Sequence, residues 1–287
     1  MRVVSALERT ALSAIACALA LFASPQAFGQ AYANCPKQVF ADLVAKPAAP
    51  TGSAPLFSAV TVAPGEEAAY KAFSKLKPDN TDKRIQAGEA FVQKYPLGSF
   101  SESVYSQLTF AEYQKQDFTK MDKYADKALE LSPDNLQVLV LVGWVIPHAA
   151  DPDPAQLDKA EKYEKHILEL LPTVIKPAGM TDQELATAKS QYESQAHSGL
   201  GLVYYQRNDF DGAVAEMKKA TSGASQPDPA DYFVLGDSLD SLDRFSDAAD
   251  AFEVCAGIPG GEQAVCRQKA EAAKKNASSA LTVSTTP

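Results

Sequence analysis

The stretch that decides the fold is SGLGLVYYQRNDFDGAVAEMKKA, residues 198–220, because a second stretch repeats its pattern. Residues 234–256 read VLGDSLDSLDRFSDAADAFEVCA and place Leu-Gly, Phe and spaced alanines at the same offsets. Gly201 and Gly236 lie 35 residues apart (236 − 201). Self-similarity at such a period predicts an array of helical hairpins, in which each hairpin buries its apolar face against its neighbours.

Three more segments follow parts of this pattern. Residues 102–135, ESVYSQLTFAEYQKQDFTKMDKYADKALELSPDN, form a unit of 34 residues that closes near Pro133. A degraded unit covers residues 142–172, and residues 87–103, AGEAFVQKYPLGSFSES, suggest another. The shared pattern resembles the tetratricopeptide repeat (TPR), which combines a large aromatic residue, Leu-Gly, Tyr, spaced Ala and Phe, and a closing Pro.

The sequence also departs from the repeat in places: Thr109 stands where the repeat has Gly, and Cys255 where it has Ala. The KYP motif at residues 94–96 resembles exported bacterial envelope TPR proteins of the cell-division-coordinator and outer-membrane-assembly kinds. The resemblance implies an all-α fold, a right-handed α-solenoid of stacked antiparallel helix pairs with about four or five repeats. It places this TPR-like helical repeat domain at residues 65–276, closed by a C-terminal capping helix.

Several helix starts are signalled by capping residues. Asp153 and Asp228 each precede a proline, and a capping carboxylate followed by proline at the first helical position is typical of a helix N-terminus. Thr181 and Glu184 have the spacing of a capping box. Because no proline follows until Pro227, one long helix is predicted from Asp182 to Arg207.

Residues 1–29 have the order of a secretory signal peptide: two arginines near the start, an apolar run over residues 11–23, then small residues. Cleavage before Gln30 is the first expectation, and cleavage after Ala31 is the alternative. The run is shorter than the roughly 20 residues that cross a bilayer, which disfavours a membrane anchor. No other stretch is apolar enough to span a membrane. The mature chain is therefore predicted to be periplasmic or secreted.

Two segments outside the repeats have the composition of disorder. Residues 30–64 are rich in Pro and Ala without a helical or strand period, and a disordered linker is predicted there. Residues 277–287 are polar and rich in Ser and Thr, and a disordered tail is predicted.

Export determines the redox state that we expect of the cysteines, because disulfides persist in oxidising compartments. Removal of Cys17 with the signal peptide leaves three cysteines. Cys255 and Cys266 are eleven residues apart (266 − 255) on adjacent predicted helices, so they are the expected disulfide. The alternative is two unpaired thiols. With the pair formed, Cys35 would be free or intermolecular.

The charge excludes some partners. The formal net charge is -9, and it becomes about -10 once the two arginines and one glutamate of the signal segment are removed (-9 − 1). Nucleic-acid binding depends on Lys and Arg that neutralise phosphates, so no nucleic-acid partner is expected. The same charge disfavours an anionic membrane surface.

No residue pattern indicates catalysis. The three histidines, His148, His166 and His197, have no Cys, Asp or Glu at metal-ligand spacing. The chain lacks a G-x-S-x-G motif, a phosphate-binding loop and a dinucleotide fingerprint. We therefore expect a protein that is not an enzyme and that has no metal site and no cofactor.

The TPR resemblance implies a concave groove, lined by outward positions of the first helix of each pair. The same aromatic residues would equally fit packing between helices. The groove positions combine apolar and aromatic residues at one end with acidic residues at the other, which favours an apolar or basic peptide. Register places the following residues there: Phe110, Tyr113, Val140, Trp144, Ser198, Leu202, Tyr205, Phe233, Asp237 and Asp240.

The sequence therefore predicts a non-catalytic protein–protein interaction scaffold of the cell envelope, which binds a protein or peptide segment in its concave groove. The alternative is a structural or assembly component of the envelope that acts through self-association, as a homo-oligomer without a peptide ligand. Repeat folds are reused for many tasks, so the fold does not choose between these functions.

Overall fold

The structure, a computed structural model, describes residues 62–77, 80–176, 179–223, 228–259 and 262–284. The predicted signal peptide, nearly all of the predicted linker and the first two cysteines lie outside these residues. Within the described residues every regular element is a helix, and no strand occurs. The predicted all-α class is confirmed for this part of the chain.

The described residues form eleven α-helices, numbered here in chain order. They are α1 (Glu66–Ser74), α2 (Thr81–Lys94), α3 (Ser101–Lys115), α4 (Phe118–Leu131), α5 (Leu136–Val145), α6 (Pro154–Leu170), α7 (Asp182–Gln206), α8 (Phe210–Gly223), α9 (Pro229–Ser241), α10 (Phe245–Gly257) and α11 (Gln263–Ser284). Short 3₁₀ helices, Ile146–His148 and Leu171–Thr173, follow α5 and α6.

The chain divides into two compact units. Unit 1 comprises Met1–Leu139 and Val174–Met180, and unit 2 comprises Val140–Thr173 and Thr181–Pro287. In unit 1, helices α1 to α4 each pack on the next helix in sequence, and in unit 2 helices α6 to α11 do the same. In unit 2, α7 also contacts α9, and α9 also contacts α11. The helices of each unit are therefore packed in consecutive pairs.

The first helix of unit 1 starts with a buried carboxylate. Glu66, the first residue of α1, is fully buried and accepts hydrogen bonds from the backbone N–H groups of Ala63 at 3.1 Å and Phe100 at 3.0 Å. These bonds compensate for its removal from water. Gly98 is needed beside it, because a Cβ at that position would overlap the Glu66 carboxylate. Glu66 thereby joins the start of α1 to the loop before α3.

The turns within three helix pairs share one backbone geometry. Gln116, Asn208 and Asp243 follow the ends of α3, α7 and α9 with left-handed φ values of 60°, 59° and 56°. A left-handed residue is a common way to end a helix, because it lets the following N–H groups bond to the last carbonyls. In each turn the next N–H bonds to the carbonyl five residues earlier: Asp117 to Glu112, Asp209 to Tyr204 and Arg244 to Leu239.

In two helix pairs of unit 2, the paired helices approach each other closely at a glycine. Gly201 on α7 faces Met217 on α8, and a Cβ on Gly201 would lie 2.8 Å from Met217 side-chain atoms. Gly236 on α9 faces Phe252 on α10, and a Cβ there would lie 2.7 Å from the ring. Met217 and Phe252 are both fully buried. Glycine is thus required on the first helix because the second helix places a large side chain against it.

The predicted helix starts in this unit are confirmed. Asp153 and Thr181 each form a capping box, in which the side chain and the third residue of the helix satisfy each other's backbone N–H groups. Asp228 caps α9 through the N–H of its second residue. The long helix α7 ends at Gln206, one residue before the predicted end at Arg207.

The C-terminal helix is longer than the sequence indicates. α11 continues to Ser284 and covers eight residues (284 − 276) that were predicted to be a disordered tail. Ser278 and Ser279 donate hydroxyl hydrogen bonds, each 3.0 Å long, to the Lys274 and Lys275 carbonyls. A serine can therefore stay within a helix when its hydroxyl group bonds to the carbonyl four residues earlier, although the composition of this segment indicates coil.

We expect Gly236→Ala to lower the free energy of unfolding by about 1–3 kcal/mol, because the new methyl group overlaps the Phe252 ring in a packed core. Gly201→Ala should cost less, since the Met217 side chain is flexible and can move away. Urea unfolding followed by circular dichroism measures both effects.

The matched control is Gly257→Ala, also within a helix, where an added Cβ has no heavy atom within 4 Å. This substitution should leave stability unchanged or raise it by up to about 1 kcal/mol, since alanine restricts the unfolded chain. Equal effects of Gly236→Ala and Gly257→Ala would contradict the packing argument.

Candidate functional site

A row of side-chain hydrogen bonds joins α7, α9 and α11, which are alternate helices of unit 2. Ser198 Oγ on α7 donates to Asp231 Oδ1 on α9 at 2.5 Å. Tyr205 OH on α7 donates to Asp237 Oδ2 on α9 at 2.6 Å. Lys269 Nζ on α11 donates to Asp237 Oδ1. We call these five residues the polar row.

Lys269 is held by aromatic rings as well as by Asp237. Its Nζ atom lies 5.6 Å from the centroid of the Phe233 ring and 5.7 Å from that of Phe252. The two rings meet edge to face, with centroids 6.0 Å apart. Both distances are within the range of cation–π attraction, so the ammonium group interacts with a carboxylate and two rings together.

Asp231 is the buried carboxylate of the polar row. It is 8% exposed, and burial raises its pKa to about 7, although the hydrogen bond from Ser198 acts in the opposite direction. The nearby charge of Asp228 raises the pKa further. Sequence reasoning missed Asp231, because an acidic residue in the first turn of a helix is ordinary there.

Tyr205 is a neutral hydrogen-bond donor in the polar row. Burial, followed by the hydrogen bond to Asp237, raises its pKa to about 12. Its ring meets Phe210 edge to face, with centroids 6.0 Å apart. Tyr205, Leu202 and Phe233 remain partly exposed while packing against the core of unit 2. These predicted groove residues therefore stabilise the fold and also leave part of their side chains exposed to solvent.

Trp144 lies at the start of unit 2, next to a histidine that the sequence did not associate with it. The Trp144 and His148 rings are stacked with centroids 4.1 Å apart, and His148 Nδ1 donates to the Trp144 carbonyl at 2.6 Å. Gln206, at the end of α7, donates to the Pro147 carbonyl at 3.2 Å. The turn after Trp144 is thereby tied to α7, and the indole ring is partly exposed.

Three predicted groove residues lie in the interior instead. Phe110 and Tyr113 in unit 1 are 7% and 6% exposed, and Val140 is 6% exposed. The prediction that they line an open surface is wrong, because their helices lack an outward face at these positions. In α3, all six consecutive residues from 108 to 113 are buried.

The acidic end of the predicted groove contains one further carboxylate. Asp240 on α9 is partly exposed, and its Oδ1 atom is buried with no hydrogen-bond partner among the described residues. Together with the polar row it gives α9 three carboxylates, Asp231, Asp237 and Asp240. Asp237 and Asp240 are partly exposed on the side of α9 that carries Phe233, whereas Asp231 is buried. Carboxylates beside an aromatic ring are suited to ammonium or guanidinium groups.

Cys255 and Cys266 form a disulfide between α10 and α11, with Cα atoms 5.9 Å apart. Both side chains are buried, and no free cysteine occurs among the described residues. The bond fixes α11 beside α10 only three residues (269 − 266) before Lys269. It therefore helps to hold Lys269 against Asp237.

No protein-family model matches this chain, and no curated protein matches it either. In the described part of the chain, no group of three or more His, Cys, Asp or Glu is arranged to hold a metal ion. Among the helices described above, none combines the length and apolar character needed to cross a membrane.

We expect reduction of the disulfide to lower the free energy of unfolding by about 3 kcal/mol, the chain-entropy value for a short loop. The two cysteines are 11 residues apart. Urea unfolding with and without dithiothreitol measures the difference. The double variant Cys255→Ala/Cys266→Ala should show no response to the reductant, and equal stability of the oxidised and reduced wild-type protein would contradict the expectation.

Proposed function

We propose that this protein is a non-catalytic scaffold that binds a protein segment through the exposed side of the polar row. The observation that carries the proposal is the position of Lys269. Its ammonium group is held by Asp237 and lies over the Phe233 ring, so this surface already binds a lysine from within the chain. The same chemistry would bind lysine or arginine of a partner.

The other carboxylates of α9 are the expected contacts for the partner's cations. Asp237 is paired with Lys269, whereas neither Asp231 nor Asp240 is paired with a cation among the described residues. A buried carboxylate that lacks a cation is stabilised when a partner supplies one, because the attraction between the opposite charges offsets the carboxylate's loss of hydration. The net charge, about -10 after removal of residues 1–29 (-9 − 1), would also attract a basic partner over longer distances.

The apolar part of the partner would contact the half-buried side chains beside these carboxylates. Leu202, Tyr205 and Phe233 are partly exposed and packed on a rigid core, as is typical of residues that dominate binding energy. Trp144 offers a further ring at the start of unit 2. The expected ligand is therefore a segment with both basic and apolar side chains.

We further propose that the helix pairs are TPR-like repeats, stacked as a right-handed α-solenoid of about four or five repeats with α11 as its cap. Two observations support this. The turns at Gln116, Asn208 and Asp243 have the same geometry. Gly201 and Gly236 face large side chains of the following helix in the same way.

The proposed place of action is the periplasm or the cell exterior, after removal of residues 1–29. The disulfide between Cys255 and Cys266 supports this proposal, because structural disulfides persist in oxidising compartments. The proposed role is therefore that of a scaffold of the cell envelope.

We expect Asp231→Asn/Asp240→Asn to weaken partner binding by about tenfold or more, because α9 loses the charge of both carboxylates that no cation of the described residues neutralises. Affinity capture from the cell envelope, followed by mass spectrometry, identifies the partner. Fluorescence anisotropy with the bound segment then measures the affinity at pH 8, where Asp231 is largely ionised.

The matched control is Asp211→Asn/Asp250→Asn, which removes the same charge from exposed positions on α8 and α10. It should bind like the wild type, and circular dichroism should show all variants folded. Equal binding by both double variants would contradict a site on α9. A self-association detected by light scattering that no variant changes would favour the structural alternative.

A further inference from the structure

Glu164, on α6, is a carboxyl group in the interior of unit 2. It is 1% exposed, and its Oε1 atom has no hydrogen-bond partner among the described residues. The side chain lies against two glycines. A Cβ on Gly143 would lie 2.7 Å from Oε1, and a Cβ on Gly199 would overlap the same carboxyl group. The carboxyl group therefore occupies space that exists because both positions lack a side chain.

The two following helix pairs of unit 2 place apolar groups at the corresponding contact. Met217 faces Gly201 and Phe252 faces Gly236, and both side chains are fully buried. An ionised carboxylate without a cation is strongly unfavourable in such surroundings. Burial accordingly raises the pKa of Glu164 well above its ordinary value. Glu164 is thus buried as a neutral acid.

The elements around Glu164 supply no compensating charge, and burial is the cause of its raised pKa. The part of α5 in unit 2, residues 140–145, and the 3₁₀ helix 171–173 contain no titratable residue. The lysines of α6 and α7 are engaged elsewhere or exposed: Lys159 lies over the Tyr163 ring, Lys162 is exposed, Lys165 pairs with Glu161, and Lys189 donates to the Pro172 carbonyl. Other titratable groups are paired or neutral: Glu161 with Arg207, His197 with Glu216, Tyr204 with Glu161, His148 with the Trp144 carbonyl, and Tyr192, whose pKa burial raises to about 12.

We propose that Glu164 is a proton-dependent lock on unit 2. Its neutral carboxyl group permits α6 to pack against Gly143 and Gly199, and its ionisation opens this packing. The lock requires no partner, so it stands independently of the binding function proposed above. Met217 and Phe252 cannot ionise, so the packing of α8 and α10 against their glycines lacks this sensitivity.

The direction of the pH effect follows from proton linkage. The carboxyl group binds its proton more tightly when α6 is packed than when it is open, so the proton stabilises the packed state. This contribution is present in full below the ordinary carboxyl pKa and is lost as pH rises through the raised pKa. Because one proton is involved, the opening equilibrium changes by about tenfold per pH unit in that window.

Hydrogen exchange of the full chain, read by mass spectrometry from about pH 5 to about pH 9, tests the lock. After correction for the intrinsic exchange rate, opening of α6 and α7 in the wild type should increase by up to about tenfold per pH unit. Opening of α10, which packs through Phe252, should not follow. Glu164→Gln, which stays neutral at every pH, should remove the dependence in α6. In α7 it should leave only the part that Asp231, bonded to Ser198, contributes.

Two further variants separate charge from shape. Glu164→Met introduces the residue type that α8 places against Gly201, namely Met217, and it should also abolish the pH dependence in α6. Glu193→Gln removes an exposed carboxylate of α7 and should behave like the wild type. The proposal is overturned if Glu164→Gln retains the wild-type pH dependence, or if opening of α6 and α7 in the wild type does not change with pH. A rise of equal size in α10 would also overturn it, because unit 2 would then unfold as a whole.

Discussion

Close approach of paired helices at a glycine is the constraint on which unit 2 depends. Gly201 and Gly236 lie against the fully buried side chains of Met217 and Phe252. Because protein interiors are close-packed, the contact sets the separation of the two helices within a pair.

The candidate site is a consequence of this packing. Once the pairs stack, α7, α9 and α11 become neighbours, and their side chains bond across the gaps. Tyr205 and Lys269 both reach Asp237, so one carboxylate joins three helices. The residues of this surface are held in place by the fold that they help to stabilise. Such preorganisation reduces the conformational entropy that a binding surface loses when a partner docks.

Two acidic residues of unit 2 are buried, unlike most of its acidic residues. Glu164 occupies an apolar position with no hydrogen-bond partner for Oε1, and Asp231 is buried with a hydroxyl group as its partner. Burial raises both pKa values. Natural sequences break local rules mainly where function or conformational change requires it. The two acids therefore bear the proposed functions: Asp231 in binding a cation, and Glu164 in responding to protons.

The sequence by itself determined the all-α class and the starts of α6 and α7, because capping at Asp153 and Thr181 and the spacing of Leu-Gly depend on neighbours within a few residues. Only the tertiary structure decided which side chains face inward. Phe110 is buried although its register indicated an open surface, and Asp231 and Glu164 differ from other acids solely in what packs on them. Burial and pKa depend on helices distant in sequence, and a local pattern contains no information about those contacts.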